Sequence, residues 1–146
     1  MKLKQLSLFL ENKPGALGRP IRILAREKVN IVTLSIAEAN QFGILRLIVQ
    51  DWERVKALLE SEGLMVKITD VVAVEVADRP GGLAEILEAL ELARINVEFM
   101  YAFTEKRENR GVLIFRFDDP DKAIWHLQQS GINVVGSMEW LQQTEG

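Results

Sequence analysis

The stretches "ENKPGAL" (residues 11–17) and "ADRPGGL" (residues 77–83) are two copies of one short turn, and their spacing decides how the rest of the chain is read. Asn12 and Asp78, Pro14 and Pro80, Gly15 and Gly81, Leu17 and Leu83, and Asn30 and Asn96 all lie 66 positions apart. Beyond residue 43 the offset becomes 68, shared by Gly43 and Gly111, Asp51 and Asp119, Gly63 and Gly131, and Val66 and Val134. Two residues are therefore inserted in one loop, and they fall in the charged stretch "TEKRENR" (104–110), opposite the shorter "EANQF" (38–42). Self-similarity at one period marks a duplication. The expected units are 1–70 and 71–146.

The same elements recur in each copy. Leu6, Leu8 and Leu10 alternate as in a half-buried strand, and "VVAVEV" (71–76) follows the same period less cleanly. After each turn, Leu17, Ile21 and Leu24, or Leu83, Ile86, Leu87 and Leu90, fall at helical spacing. Strand signals follow in "NIVTLSIA" and "GILRLIVQ", and again in "NVEFMYAF" and "GVLIFRFD". Asp51 and Asp119-Pro120 open second helices, since Asp caps an N-terminus and Pro suits the first turn. Gly63 and Gly131 stand where a left-handed cap closes them, before short final strands. Pro20, inside the first helical pattern, predicts a kink or a delayed start there.

Strand, helix, strand, strand, helix, strand is the split βαβ or ferredoxin-like order, an α+β class with antiparallel strands and both helices on one sheet face. The strands are apolar on both sides, Leu45, Leu47 and Val49 against Ile44 and Ile48, and Leu113 and Phe115 against Val112 and Ile114. Helices cover one face only. The other is expected to meet another sheet, which points to a homodimer, because a unit of about seventy residues is marginal alone.

Composition restricts the function. The 146 residues are 48% hydrophobic and 27% charged, as in a soluble globular protein. A net charge of -3 argues against nucleic acid or an anionic membrane as main partner. With no Cys there is no disulfide, thiolate metal site or cysteine nucleophile, which fits a reducing, cytoplasmic setting. The N-terminal apolar stretch is cut short by Glu11 and Asn12, unlike a signal peptide, and no run reaches membrane-spanning length. His126 is the only His, so a His-based triad or metal cluster is not expected, nor are a cofactor and an enzymatic activity. "RGVLIFRF" (110–117) matches an RNA-recognition signature at Arg110, Gly111 and Phe117, but Val112 and Ile114 stand where stacking aromatics are needed.

A Pro-Gly turn that opens a helix presents backbone N–H groups, here those of Gly15, Ala16 and Leu17, at an end of partial positive charge. Gly lets a ligand come close, and Asn12 or Asp78 offers a polar partner for an ammonium. Without a Walker lysine or long Gly-rich loop, the set suits a zwitterion better than a phosphate. The same residues are also an ordinary strand-to-helix turn in which the Asx side chain bonds its own backbone. On the residues alone both readings stand.

The strands leading into "ENKPGALGRPIRILAREKVNI" and "ADRPGGLAEILEALELARINV" resemble the opening of an ACT domain, with Asn/Asp-x-Pro-Gly-x-Leu followed about a dozen residues later by Asn-Ile or Asn-Val. The resemblance implies two ACT units side by side in one eight-stranded sheet. It implies a regulatory module that binds a free amino acid at the seam between units. Ligand contacts implied for the first copy are Asn12, Gly15, Ala16, Leu17, Asn30 and Ile31; for the second, Asp78, Gly81, Gly82, Leu83, Asn96 and Val97. The seam walls differ, with Thr33, Ser35 and Ala37 opposite Phe99, Tyr101 and Phe103. Two units take up the chain, so a stand-alone sensor acting on a regulated enzyme in trans is expected. The alternative is a ligand-free structural or protein-interaction pair, for which Trp52, Trp125 and Trp140 are candidate anchors.

Overall fold

The computed structural model describes residues 1–103 and 109–136, so most of "TEKRENR" and Trp140 lie outside the described residues. The chain divides into two compact units, Lys4–Thr69, and Asp70–Gly146 together with Met1–Leu3. The boundary falls inside one long strand.

In the first unit β1 (Leu3–Glu11) leads to α1 (Gly18–Arg26), β2 (Ile31–Ala39), β3 (Phe42–Val49), α2 (Trp52–Ser61) and the opening of β4 (Val66–Ala77). The strands order as β2-β3-β1-β4, with the β1–β3 and β2–β3 ladders antiparallel. Register puts Leu34, Leu47 and Leu6 in one row and Ile36, Leu45 and Leu8 in the next. Because side chains alternate between faces, the odd and even sets separate cleanly. Leu6, Leu8, Leu10, Leu45, Leu47 and Val49 form a core with Ile23 and Leu24 of α1 and Val55 and Leu59 of α2. Each such side chain taken out of water contributes about 1.5–3 kcal/mol.

The second unit repeats this with the remainder of β4, α3 (Gly82–Leu92), β5 (Val97–Ala102), β6 (Arg110–Phe117) and α4 (Pro120–Gln129). Its ladders order as β4-β6-β5, again antiparallel. Val72, Val74, Phe115 and Phe117 pack under Ile86 and Leu90 of α3 and Ala123 and Leu127 of α4. Where a last strand is expected after Gly131, the described residues make a single bridge, Val74 to Val134. The Glu75 N–H donates to Asn133 O and the Val135 N–H to Ala73 O.

Pro20 delays α1. The helix begins at Gly18, two residues later in the repeat than Gly82 of α3. Buried Pro20 thereby lies in the first turn, where its missing N–H leaves no intrahelical bond unmade. Gly63 and Gly131 do close α2 and α4 at positive φ. Lys28 and Arg94 do the same for α1 and α3 at φ near 56° and 57°, which composition did not single out because neither is Gly or Asn. All four ends share one pattern, for example Val29 N–H to Leu24 O at 2.9 Å and Ile132 N–H to Leu127 O at 2.9 Å. Asp119 caps α4, accepting from the Lys122 N–H at 3.1 Å. Asp51 does not cap α2 with its side chain; it pairs instead with Arg54 at 3.2 Å.

Candidate functional site

Each Pro-Gly loop is held to the hairpin of its own unit by the same main-chain bond. The Asn12 N–H donates to Gln41 O at 2.8 Å, and the Asp78 N–H to Asn109 O at 2.8 Å. Asn12 Nδ2 also reaches Asn40 O at 3.5 Å, the outer limit of a hydrogen bond. Gly15 and Gly81 turn at φ of 87° and 88°, a conformation that a Cβ disfavours. Gly82 is Gly for a different reason: a Cβ there would stand 2.1 Å from the Ala77 carbonyl oxygen.

One sequence expectation needs correcting at this point. The loop N–H groups are not all open to a ligand, because the Ala16 N–H bonds Lys13 O at 3.3 Å and the Gly82 N–H bonds Arg79 O at 3.0 Å. The turn satisfies part of its own backbone first. Leu17 and Gly81, the residues at the N-caps of α1 and α3, supply no side-chain cap.

Two hollows flank each loop. On the helix side of the first unit a cavity of about 490 Å³ lies among Leu10, Lys13, Gly15, Ala16, Arg19 and Leu64. Arg19 donates to Glu62 O. Lys13 Nζ stands 2.8 Å from Glu11 Oε2, and that hydrogen bond, then the charge of Lys13, holds the Glu11 carboxyl below its ordinary value. The matching cavity of the second unit, about 320 Å³, is bordered by the ion pairs Arg79–Glu85 and Arg110–Glu75.

On the hairpin side the two units differ more. Asp78, Pro80, Leu83, Ala102, Phe103 and Leu113 are among the walls of a cavity of about 490 Å³ in the second unit. Its counterpart in the first unit, lined by Asn12, Ile36, Ala37, Glu38, Phe42 and Gly43, measures about 270 Å³. Phe103 and Ala37 thus reach the loop cavities of their own units, whereas Phe99 and Tyr101 stack on each other at 6.4 Å.

Asn12 lines the hairpin-side cavity of the first unit and Gly15 and Ala16 the helix-side one, while Asp78 and Leu83 line the hairpin-side cavity of the second unit and Gly82 the helix-side one. Asn30, Ile31, Asn96 and Val97 line none of these four. Asn96 exchanges bonds with Asp118, its N–H to Oδ1 at 3.1 Å, past the far end of β6, and Ile31 pairs with Val49 at the corresponding end of β3. At about 3.3 Å per residue, an eight-residue strand separates them from the loop of the same unit by roughly 25 Å. The residues overlooked by sequence reading are Ile36 and Ala102. They occupy equivalent repeat positions, and comparing the two copies there would have exposed the difference in size. Trp52 packs against the first core, and Trp125 is 57% exposed with His126 at its edge.

Comparison with known proteins agrees with this geometry. A family model described as an ACT domain pair matches residues 1–140. The chain belongs to the ACT domain pair family. A protein of known structure from Bacteroides thetaiotaomicron is 38% identical, with a TM-score of 0.85 and 92% of both chains covered. The acetolactate synthase small subunit of Buchnera aphidicola is 28% identical over 88 residues, and this ACT pair spans 55% of that subunit's length. The isozyme 3 small subunit of Escherichia coli is 26% identical over 126 residues, 86% of this chain and 75% of that one. The regulatory subunit of aspartate kinase from Thermus thermophilus shares the fold, at TM-score 0.62 and 14% identity, with 87% of this chain and 91% of that one covered. Among the described residues no helix is long and apolar enough to cross a membrane.

Proposed function

We propose that this ACT pair is a cytoplasmic regulatory module that binds a free amino acid beside its helix-opening loops and conveys the level of that amino acid to another protein in trans. The observation that carries the reading is the repeated construction of the loop: a Pro-Gly turn tied by its Asx N–H to a hairpin, with a cavity against it in each unit. Similarity to small subunits of acetolactate synthase supports a role beside a partner enzyme rather than as a catalyst.

Asn12, Gly15, Ala16 and Leu17, or Asp78, Gly81, Gly82 and Leu83, would hold the ligand's polar end. Asn30 with Ile31, or Asn96 with Val97, would join only if another unit or a second copy of the chain brings them to that loop, as the seam implied by the resemblance requires. The ligand acts by differential affinity: it stabilises whichever arrangement of the protein binds it more tightly, and by no more than that difference.

A thermal-shift screen across the twenty amino acids tests the reading. A ligand at a hundred times its Kd stabilises the folded chain by about 2.7 kcal/mol, so the melting point rises with concentration. If no amino acid raises it at millimolar concentration, the sensor reading fails. The ligand-free interaction pair then takes its place, a reading favoured by the exposure of Leu34, Ile36 and Phe42 on β2 and β3.

A further inference from the structure

The two hairpin-side cavities share equivalent repeat positions, Asn12, Ile36, Ala37 and Gly43 against Asp78, Ala102, Phe103 and Gly111, and one of these differences narrows the first. Ile36 and Ala102 lie opposite Leu45 and Leu113 in the two ladders, themselves repeat equivalents. In the first unit the Ile36 side chain leans over the hairpin glycine, and a Cβ built on Gly43 would meet Ile36 Cδ1 at 3.6 Å. Over Gly111, the equivalent glycine, the atom met is Val76 Cγ1 at 3.4 Å, from the strand on its other side, and Ala102 contributes nothing. Replacing isoleucine by alanine removes three carbons from one wall. The cavity beside Ala102, about 490 Å³, lies within the range of small-molecule sites, while the hollow beside Ile36, about 270 Å³, lies below it.

The two cavities also differ in chemistry. Leu83, Phe103 and Leu113 border the larger one, with Asp78 as the carboxylate where the first unit has the neutral Asn12. Arg79, which also lines it, is paired with Glu85. An apolar wall cannot compensate the desolvation of a charged or amide side chain, whereas it gains from a hydrocarbon one.

We infer that the amino-acid site lies in the second unit and selects an amino acid with an apolar side chain, with Ala102 as the residue that opens it and Ile36 as the residue that closes the equivalent place in the first. This rests on the amino-acid-binding reading above and adds to it the location, the number of sites and the class of side chain.

Calorimetric titration of the full chain with L-leucine, L-phenylalanine, L-aspartate and L-lysine tests it, using the wild type, Ala102→Ile and Ile36→Ala. The expected result is one leucine or phenylalanine bound per chain, in preference to aspartate and lysine. Ala102→Ile should weaken that binding roughly ten- to hundredfold, the range for forcing extra carbons into a filled space, and Ile36→Ala should not weaken it. Ala102 is exposed on an edge strand, so the larger side chain leaves the core intact. Ala102→Val makes the smaller step if Ile perturbs folding, and unliganded melting curves monitor that.

Leucine binding unchanged in Ala102→Ile, or lost in Ile36→Ala instead, overturns the inference while leaving the amino-acid reading in place. Preference for aspartate or lysine does the same. Only a wild type that binds none of the twenty amino acids removes both.

Discussion

Replacing Gly82 by Ala tests the packing of the second loop, and the structure sets the size of the effect. Gly82 begins α3 without a positive φ, so the backbone conformation itself would accept alanine. By propensity the change favours the helix, by up to about 1 kcal/mol. Against this, the new Cβ would stand 2.1 Å from Ala77 O and 3.2 Å from Ala77 C, with Val76 Cγ2 at 3.3 Å. The Ala77 oxygen is not a side-chain tip that can swing aside; it accepts the Arg79 N–H at 2.9 Å and so holds the turn. Relief requires α3 to move off the end of β4 or the turn to open. Overpacking of this kind costs about 1–3 kcal/mol and sits here at the upper end, so a net loss of about 2 kcal/mol is expected. For a unit of this size that lowers the melting point by roughly 8–16 °C. Differential scanning calorimetry of wild type and Gly82→Ala measures it directly. A variant that melts at or above the wild-type temperature refutes the close approach of helix and strand. The first copy carries Ala16 at this position without penalty because α1 starts two residues later, so Ala16 belongs to the turn.

The remaining expectations concern local features. Lys28→Gly and Arg94→Gly should each stabilise the protein by up to about 1 kcal/mol in urea unfolding, since a left-handed residue with a Cβ costs about 1–2 kcal/mol and Gly returns part of that in backbone entropy. Asp119→Ala should cost about 1 kcal/mol by loss of the bond to the Lys122 N–H, and Asp51→Ala less, because Asp51 makes no such cap; chemical denaturation of the two variants compares them. The Glu11 carboxyl, held below its ordinary value by Lys13, should titrate higher in Lys13→Ala, as followed by carboxyl carbon NMR. Its folded-state value is lowered, so the associated stability is present above the unfolded value and is lost as pH falls through the folded one. Exposure of both side chains to solvent keeps that contribution small.

Much of the fold was legible because it is written in local rules. Period-two apolar residues at Leu6, Leu8 and Leu10, helical spacing after each turn, Asp119-Pro120 at a helix start and Gly63 and Gly131 at helix ends each act over a few residues. The delayed start of α1 belongs to the same class: Pro20 forbids an interior position by its own covalent structure, wherever the helix packs. Repetition at 66 and 68 residues supplied the rest, since two copies must make two units of one topology.

The site was legible only in part. The sequence by itself determined that Asn12 and Asp78 precede a glycine turn and that a helix follows. Tertiary structure decided which groups that turn keeps for itself, as when Lys13 O and Arg79 O take N–H groups that the motif alone leaves open. It also decided that Asn30 and Asn96, twelve or more residues from their loops along the chain, stand at the opposite end of the same unit. Above all it decided that the hairpin-side cavity is about 490 Å³ in the second unit and about 270 Å³ in the first. Whether Ile36 or Ala102 matters depends on what lies across the ladder and over the neighbouring glycine, and those partners are remote in sequence. Volume is a property of surfaces brought together, so no local pattern of residue types could have set it.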